Sequence, residues 1–413
     1  MLLCSIDDLE PGMAVGGSVV HPGRPETELL RPGAVLEAVI IERLRRIGIS
    51  QVWVQHDATA DLDAAVAPQL SAARTKIYRR LKESFGKMAG ATISAAAVHD
   101  YRMAIMDLVF QLISSRKYAH LSHELLGARG QLFNHGANVA FLSVLVGLEI
   151  ETYVVRQRPR LAPEHARDVV PLGLGAMLHD IGKTQLDRPA REHHEIHPVP
   201  EDEEDAEGAY RRHVELGYTM LAESRMPATA RQIVLNHHQR FDGSGWPDLT
   251  TLTRGRREGP QEETEIHIFS RIVSAANVLD NLLHGSPDGT SPTVAALGEF
   301  AGQRFDGWFD PVVRDLVVRR IPPFPIGSLV VLCNGARAVV VSPNFTQPCR
   351  PMVRPLPDTR ARGGGELPTI DLEAREDLHI VQCAGEAVEE HLFELPPLKR
   401  RTWSQPPPLA ESA

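Results

Sequence analysis

His237-His238-Gln239-Arg240-Phe241-Asp242-Gly243-Ser244-Gly245-Trp246-Pro247 carries two adjacent histidines straight into a glycine-rich turn. Ile233 and Val234 precede them by four positions each, the spacing of one helical face, so both imidazoles are expected on the apolar side of a helix that stops at Asp242-Gly243. Alone, such a doublet is a good C-terminal cap, because imidazolium complements the helix dipole there. In Gly175-Ala176-Met177-Leu178-His179-Asp180-Ile181-Gly182-Lys183, His179 continues the stripe of Leu172 and Ala176, and Asp180 falls in the last turn before Gly182 ends the helix. The dipole disfavours an acid at that end, so a buried Asp180 requires a cation.

His135, three residues after Leu132 and four before Val139, faces the core side of its own helix. Alone it reads as a satisfied core histidine. His213, in Arg212-His213-Val214-Glu215-Leu216-Gly217, is expected in the first turns of a helix ending near Met220 to Ser224. Five histidines and an aspartate near apolar faces of separate helices are hard to bury without metal, since unpaired buried imidazoles are costly. Imidazole beside carboxylate suits iron, manganese, zinc or similar ions at a hydrolytic centre.

Together these segments resemble the HD-GYP family of metal-dependent cyclic dinucleotide phosphodiesterases, with Trp246 in place of a tyrosine. The resemblance implies two divalent metal ions, iron or manganese foremost. His135, His179 and Asp180 would hold the first, and Asp180 would bridge to a second held by His213, His237 and His238. Asp180 and Lys183 would act in catalysis, Lys183 by neutralising the attacked phosphate, while Asp242, Gly243, Gly245, Trp246 and Pro247 would wall the substrate pocket. The implied activity is hydrolysis of cyclic di-GMP in bacterial second-messenger signalling.

The helix Phe269 to Leu282 matches a family segment whose first aspartate completes the first metal site; here Asn277 stands there, on the face shared with Val273 and Asp280. Its amide oxygen is a weaker ligand. Gln131 occupies the place of a glutamate found in trimetal members, so a third ion is not expected. Basic and aromatic residues that many members carry after the Asp280 helix are absent from His284-Gly285-Ser286-Pro287-Asp288-Gly289. These departures keep two alternatives open: a degenerate member that binds nucleotide or protein partners without catalysis, and an HD phosphohydrolase acting on another nucleotide.

The chain has 413 residues, 43% of them hydrophobic, enough for two or three domains. A net charge of -9 gives no footprint for a nucleic-acid polymer or an anionic membrane. The four cysteines form no CxxC pair, which fits a reducing compartment, and the acidic start Met1 to Asp8 is unlike a signal peptide, so a cytoplasmic protein is expected. Signalling-protein partners and a homodimer are compatible with this reading. The fold class expected is mainly α: an all-α HD-type helical bundle over 101–320, flanked by a small N-terminal α/β module (1–60) and a small, barrel-like C-terminal β domain (321–385). Residues 61–100 read as a helical connector, 188–208 as a solvated acidic insertion without a metal site, and 386–413 as a Pro-rich flexible tail.

Overall fold

The computed structural model describes residues 1–22, 24–65, 68–85, 93–114, 132–187, 196, 204–222, 224–248, 259–284, 291–356 and 368–397. Its body is helical: α2 (Pro68–Phe85), α3 (Ala95–Ser114), α4 (Leu132–Glu149), α5 (Glu151–Arg156), α6 (Val170–Leu178), α7 (Glu204–Arg211), α8 (His213–Ala222), α9 (Ala228–Asn236), α10 (Ile268–His284), α11 (Thr293–Ala301) and α12 (Pro311–Arg320), after an isolated α1 (Ala38–Arg46). Helix α4 has no charged residue before Glu149 and carries buried residues on every face. Its length and apolarity match a membrane span, but 72% of it is buried, against α2, α6 and α10, so it is the central helix of the core. Helix α6, apolar throughout, lies between α4 and α9. This pairing brings the ends carrying His179 and His237 beside the helix carrying His135.

The segment expected as a connector does more than connect. Ala73, Ile77, Tyr78 and Leu81 of α2 enter the same core as α4, so this helix is a wall of the bundle. Residues 86–92, Gln131 and 285–290 lie outside the described residues. The acidic segment was expected to be solvated throughout, yet Ile196 is buried in the bundle core and its carbonyl accepts from Arg304 Nη2. Its C-terminal part begins α7. Residues 188–195 and 197–203 lie outside the described residues.

The N-terminal module consists of β1 (Leu2–Ser5), β2 (Val19–His21), β3 (Arg24–Leu30), α1 and β4 (Gln51–Val54), with β1 antiparallel to β4 and β2 to β3. The C-terminal module is a six-stranded antiparallel sheet in the order β10-β9-β5-β6-β7-β8, built from β5 (Leu329–Leu332), β6 (Arg337–Ser342), β7 (Met352–Pro355), β8 (Ile370–Asp371), β9 (Ile380–Cys383) and β10 (Glu386–Ala387). Asn334-Gly335 turns β5 into β6, with Gly335 at φ +83° and Asn334 Oδ1 accepting from Ala336 N. Among the described residues the sheet is open, with edges at β8 and β10, and not a barrel. The two modules share one core: Leu2, Cys4, Leu36 and Val54 pack with Ile326, Leu329 and Val339, and Leu3 pairs in parallel with Ser328. The expected tail is built in as far as residue 396. Leu395 exchanges two hydrogen bonds with the Gln347 side chain, and Arg319 Nη2 donates to Pro396 O at 2.9 Å. Residues 398–413 lie outside the described residues.

Candidate metal centre

Three of the histidines arise by one local rule. His179 follows the end of α6, His213 follows α7 and His237 follows α9, and each sends Nδ1 to the carbonyl three residues back, at Ala176 (2.7 Å), Tyr210 (2.6 Å) and Val234 (3.0 Å). The last carbonyls of a helix have no partner within it, so each imidazole caps its helix by donating Nδ1–H. That fixes the tautomer and leaves Nε2 as a lone pair aimed inward. His135, inside α4, has its Nδ1 2.7 Å from Asp280 Oδ2, which orients it in the same way.

These lone pairs converge in two groups around Asp180. His135 Nε2 and His179 Nε2 are 3.1 Å apart, and Asn277 Oδ1 lies 3.0 Å from His135 Nε2. Asp180 Oδ2 faces this group, 3.6 Å from His135 Nε2 and 3.5 Å from His179 Nε2. Asp180 Oδ1 faces the other group, 3.1 Å from His213 Nε2 and 3.7 Å from His237 Nε2, and His238 completes it. With their Nδ1 protons committed elsewhere, His135, His179, His213 and His237 have none to give Asp180, and Oδ1 receives no hydrogen bond. Facing acceptors at such distances repel one another unless a cation lies between them, so the donor set fits divalent metal. His179, His213, His237 and His238 are all buried.

The electrostatics agree. Burial pushes the His179 imidazole well below its ordinary pKa and that of His213 down to about 4, keeping both neutral as ligands must be. Burial alone would raise Asp180, but the Lys183 ammonium, with Nζ 2.7 Å from Oδ2, holds its carboxyl well below the usual range. Asp280 is likewise raised by burial and lowered more strongly by His284 and His135, ending below the usual range. It therefore sits behind His135 as a charged anchor. Asn281 Nδ2 donates to Asn277 Oδ1 at 3.0 Å and holds that oxygen in place.

Glycines let the elements meet. A Cβ on Gly182 would lie 1.9 Å from His213 O and 2.6 Å from Gly217 N, so the turn Ile181–Gln185 rests directly on the start of α8. A Cβ on Gly245 would lie 2.4 Å from His238 O, where Trp246 N donates at 3.1 Å. The loop thereby folds back and stacks the Trp246 ring on His238, 3.9 Å between centroids at 14°. Asp242 accepts from Ser244 and, with Gly243, lies against Gly307 and Glu262. Gln239 Nε2 donates to Pro247 O at 2.7 Å. Of the residues expected to wall a substrate pocket, Trp246 stacks on His238 and Gly245 lies against the backbone of the same histidine.

Several contributors escaped the sequence reading. Tyr210, three residues before His213, places its hydroxyl 3.4 Å from His238 Nε2 and its ring 5.0 Å from Lys183 Nζ. Asp280 and His284, paired at 3.0 Å, and Asn281 orient the first group from α10. The i, i+4 spacing of Asp280 and His284 and of Asn277 and Asn281 was the available signal.

A family model described as "HD domain" matches residues 154–313. The cyclic di-GMP phosphodiesterase PA4108 of Pseudomonas aeruginosa is 26% identical over 365 residues, 80% of this chain and 79% of that protein. The cyclic di-GMP phosphodiesterase response regulator RpfG of Xanthomonas campestris is 32% identical over 203 residues, 46% of each chain. Among solved structures, the HDG"Y"P protein Bd1817 of Bdellovibrio bacteriovorus aligns with TM-score 0.42 and 15% identity over 76% of this chain and 98% of that one. The helical fold, the paired His/Asp cluster and these sequence relationships lead to one assignment: residues 154–313 form an HD domain, in a chain similar to cyclic di-GMP phosphodiesterases.

Proposed function

We propose that this protein hydrolyses cyclic di-GMP in the cytoplasm at a dinuclear centre held by His135, His179, Asp180 and Asn277 on one side and by Asp180, His213, His237 and His238 on the other. The observation that supports it best is Asp180, whose two oxygens address two separate imidazole groups while Lys183 keeps it ionised. Bound divalent ions, iron or manganese by choice, supply Lewis acidity and activate water for attack on phosphorus. The chain's own part is positional. Backbone carbonyls fix the imidazole tautomers, Asp280 aims His135, and Trp246 buttresses His238. Lys183, already beside Asp180, offers its charge to the phosphate oxygens, and Asp242 to Pro247 form the rim that receives the nucleotide.

A second reading, nucleotide binding without turnover, draws on the neutral Asn277 in the first group. One experiment separates the two. Metal content is measured by mass spectrometry, and cleavage to linear dinucleotide or mononucleotides is followed with manganese or ferrous iron for wild type, Asn277→Asp and His179→Ala. Two ions per chain and turnover lost in His179→Ala support the enzyme. A metal-loaded, inert wild type that gains turnover in Asn277→Asp supports the binding protein, and a wild type that takes up no metal overturns both metal readings.

A further inference from the structure

Helix α3 is apolar on two faces. Val98, Tyr101, Ile105, Leu108 and Leu112 are buried in the bundle core. On the outer side Met103, Met106, Phe110 and Ile113 are 48%, 45%, 64% and 58% exposed. Their three-four-three spacing continues through the exposed His99 and Ala96, giving an a/d heptad seam that lies in solvent. Single apolar residues scattered on a surface need no partner, but a seam in strict register matches another helix.

The flanks suggest which helix. With Met103 and Phe110 at a and Met106 and Ile113 at d, Arg102 falls at g and Asp100 and Asp107 fall at e. In a parallel pair, g of one helix faces e of the next heptad of the other, so Arg102 would meet Asp107 of the partner subunit, twice by symmetry. An antiparallel pair would instead set e against e and g against g, opposing like charges. Asp107 also accepts from Lys76 Nζ at 2.7 Å, and its side chain stays 34% exposed. We propose that α3 is a homodimer interface, on which a second copy of this chain docks in parallel along the Ala96 to Ile113 seam. Because α3 packs on α4 and α6, which carry His135 and lead into His179, such a dimer holds the two metal centres in one symmetric body.

The test is the mass of the full chain by light scattering across a dilution series, with far-UV circular dichroism as a folding control. Wild type is expected as a dimer. Phe110→Glu should weaken self-association by at least about 30-fold, as for a central interface residue, with unchanged helicity. Arg102→Glu, at an exposed flank where folding is not at risk, should weaken it less. Met106→Cys in a Cys333→Ser background should form an interchain disulfide, because d positions face each other only in a parallel pair. A monomeric wild type overturns the proposal, as does a dimer indifferent to Phe110→Glu or a dimer in which Met106→Cys fails to cross-link. Phe110-dependent sedimentation of monomer with phosphatidylcholine vesicles would assign the seam to lipid instead.

Discussion

In the proposed centre, Asn277 is the residue on which the chemistry would turn. Its oxygen is correctly placed, 3.0 Å from His135 Nε2 and held by Asn281, so the first group lacks one negative charge and not a ligand atom. Restoring the charge with Asn277→Asp should tighten binding at the first site by about 10- to 100-fold, the range over which such neighbours act. Competition with a chromophoric chelator measures this without any substrate, and unchanged affinity would count against Asn277 as a ligand. A second prediction concerns protons. His213 titrates near 4 in the folded protein against an ordinary 6.5, so as pH falls the unfolded chain takes up protons first. The stability that neutral His213 contributes to the metal-free protein is therefore complete above about 6.5 and is lost as pH drops towards 4, with His179 acting in the same direction and His284, raised beside Asp280, opposing it. Asp180, depressed below its ordinary 3.8, adds a loss only at more acidic pH. Urea midpoints in the presence of chelator at pH 7 and pH 5 check the sign. The candidate ligands were legible in the sequence because histidine and aspartate are conspicuous on apolar faces. Their supports were less so: a carbonyl three residues back has no signature, and the spacing that places Asp280 on a shared face with His284 does not reveal that it orients His135 from another helix.

At the scale of elements, the site depends on how closely the turn Ile181–Gln185 lies on α8. Gly182→Ala would push a methyl group into His213 O, which is backbone and cannot rotate away. Overpacking of that kind costs typically about 1–3 kcal/mol, and here the displaced atom belongs to a ligand residue. The expected result is a lower denaturation midpoint together with loss of metal at the second group, read by unfolding and metal analysis on the same sample. Trp246→Ala should act at one remove, leaving His213 in place but freeing His238 from its stack, so metal affinity should fall more than stability does. Helices α4, α6, α9 and α10 follow the apolar periodicity and were readable for that reason. Helix α7 was hidden because its first turn continues a run of acids, whereas Tyr210 at its far end packs with Val214, Leu235 and Trp246. A charge run describes the solvent face of such a helix and says nothing of what its other side touches.

At the scale of the whole molecule, the two ends of the chain form one unit beside the bundle. Sequence periodicity identified short strands at both ends, but pairing between segments separated by most of the chain leaves no local trace, so the shared core could not be read. Leu329 of β5 and Leu2 and Val54 of the N-terminal strands lie in one cluster, the backbone of Leu3 donates to Gly327 O at 2.7 Å, and Arg354 grips Asp61 at 2.8 Å. Leu329→Ala should remove about 2–5 kcal/mol from that unit, as large-to-small changes in a core do. Because the cluster is continuous, the loss should be felt on both sides of it. Hydrogen exchange should therefore quicken in peptides covering β1 and β4 as much as in those covering β5 and β6, while the α4 and α6 peptides of the bundle keep their protection. Faster exchange confined to the C-terminal strands would mean that the modules fold apart and merely touch. Joint loss would mean that a signal reaching the N-terminal module is also felt at the C-terminal sheet, and through the Arg319 and Gln347 contacts at residues 395 and 396.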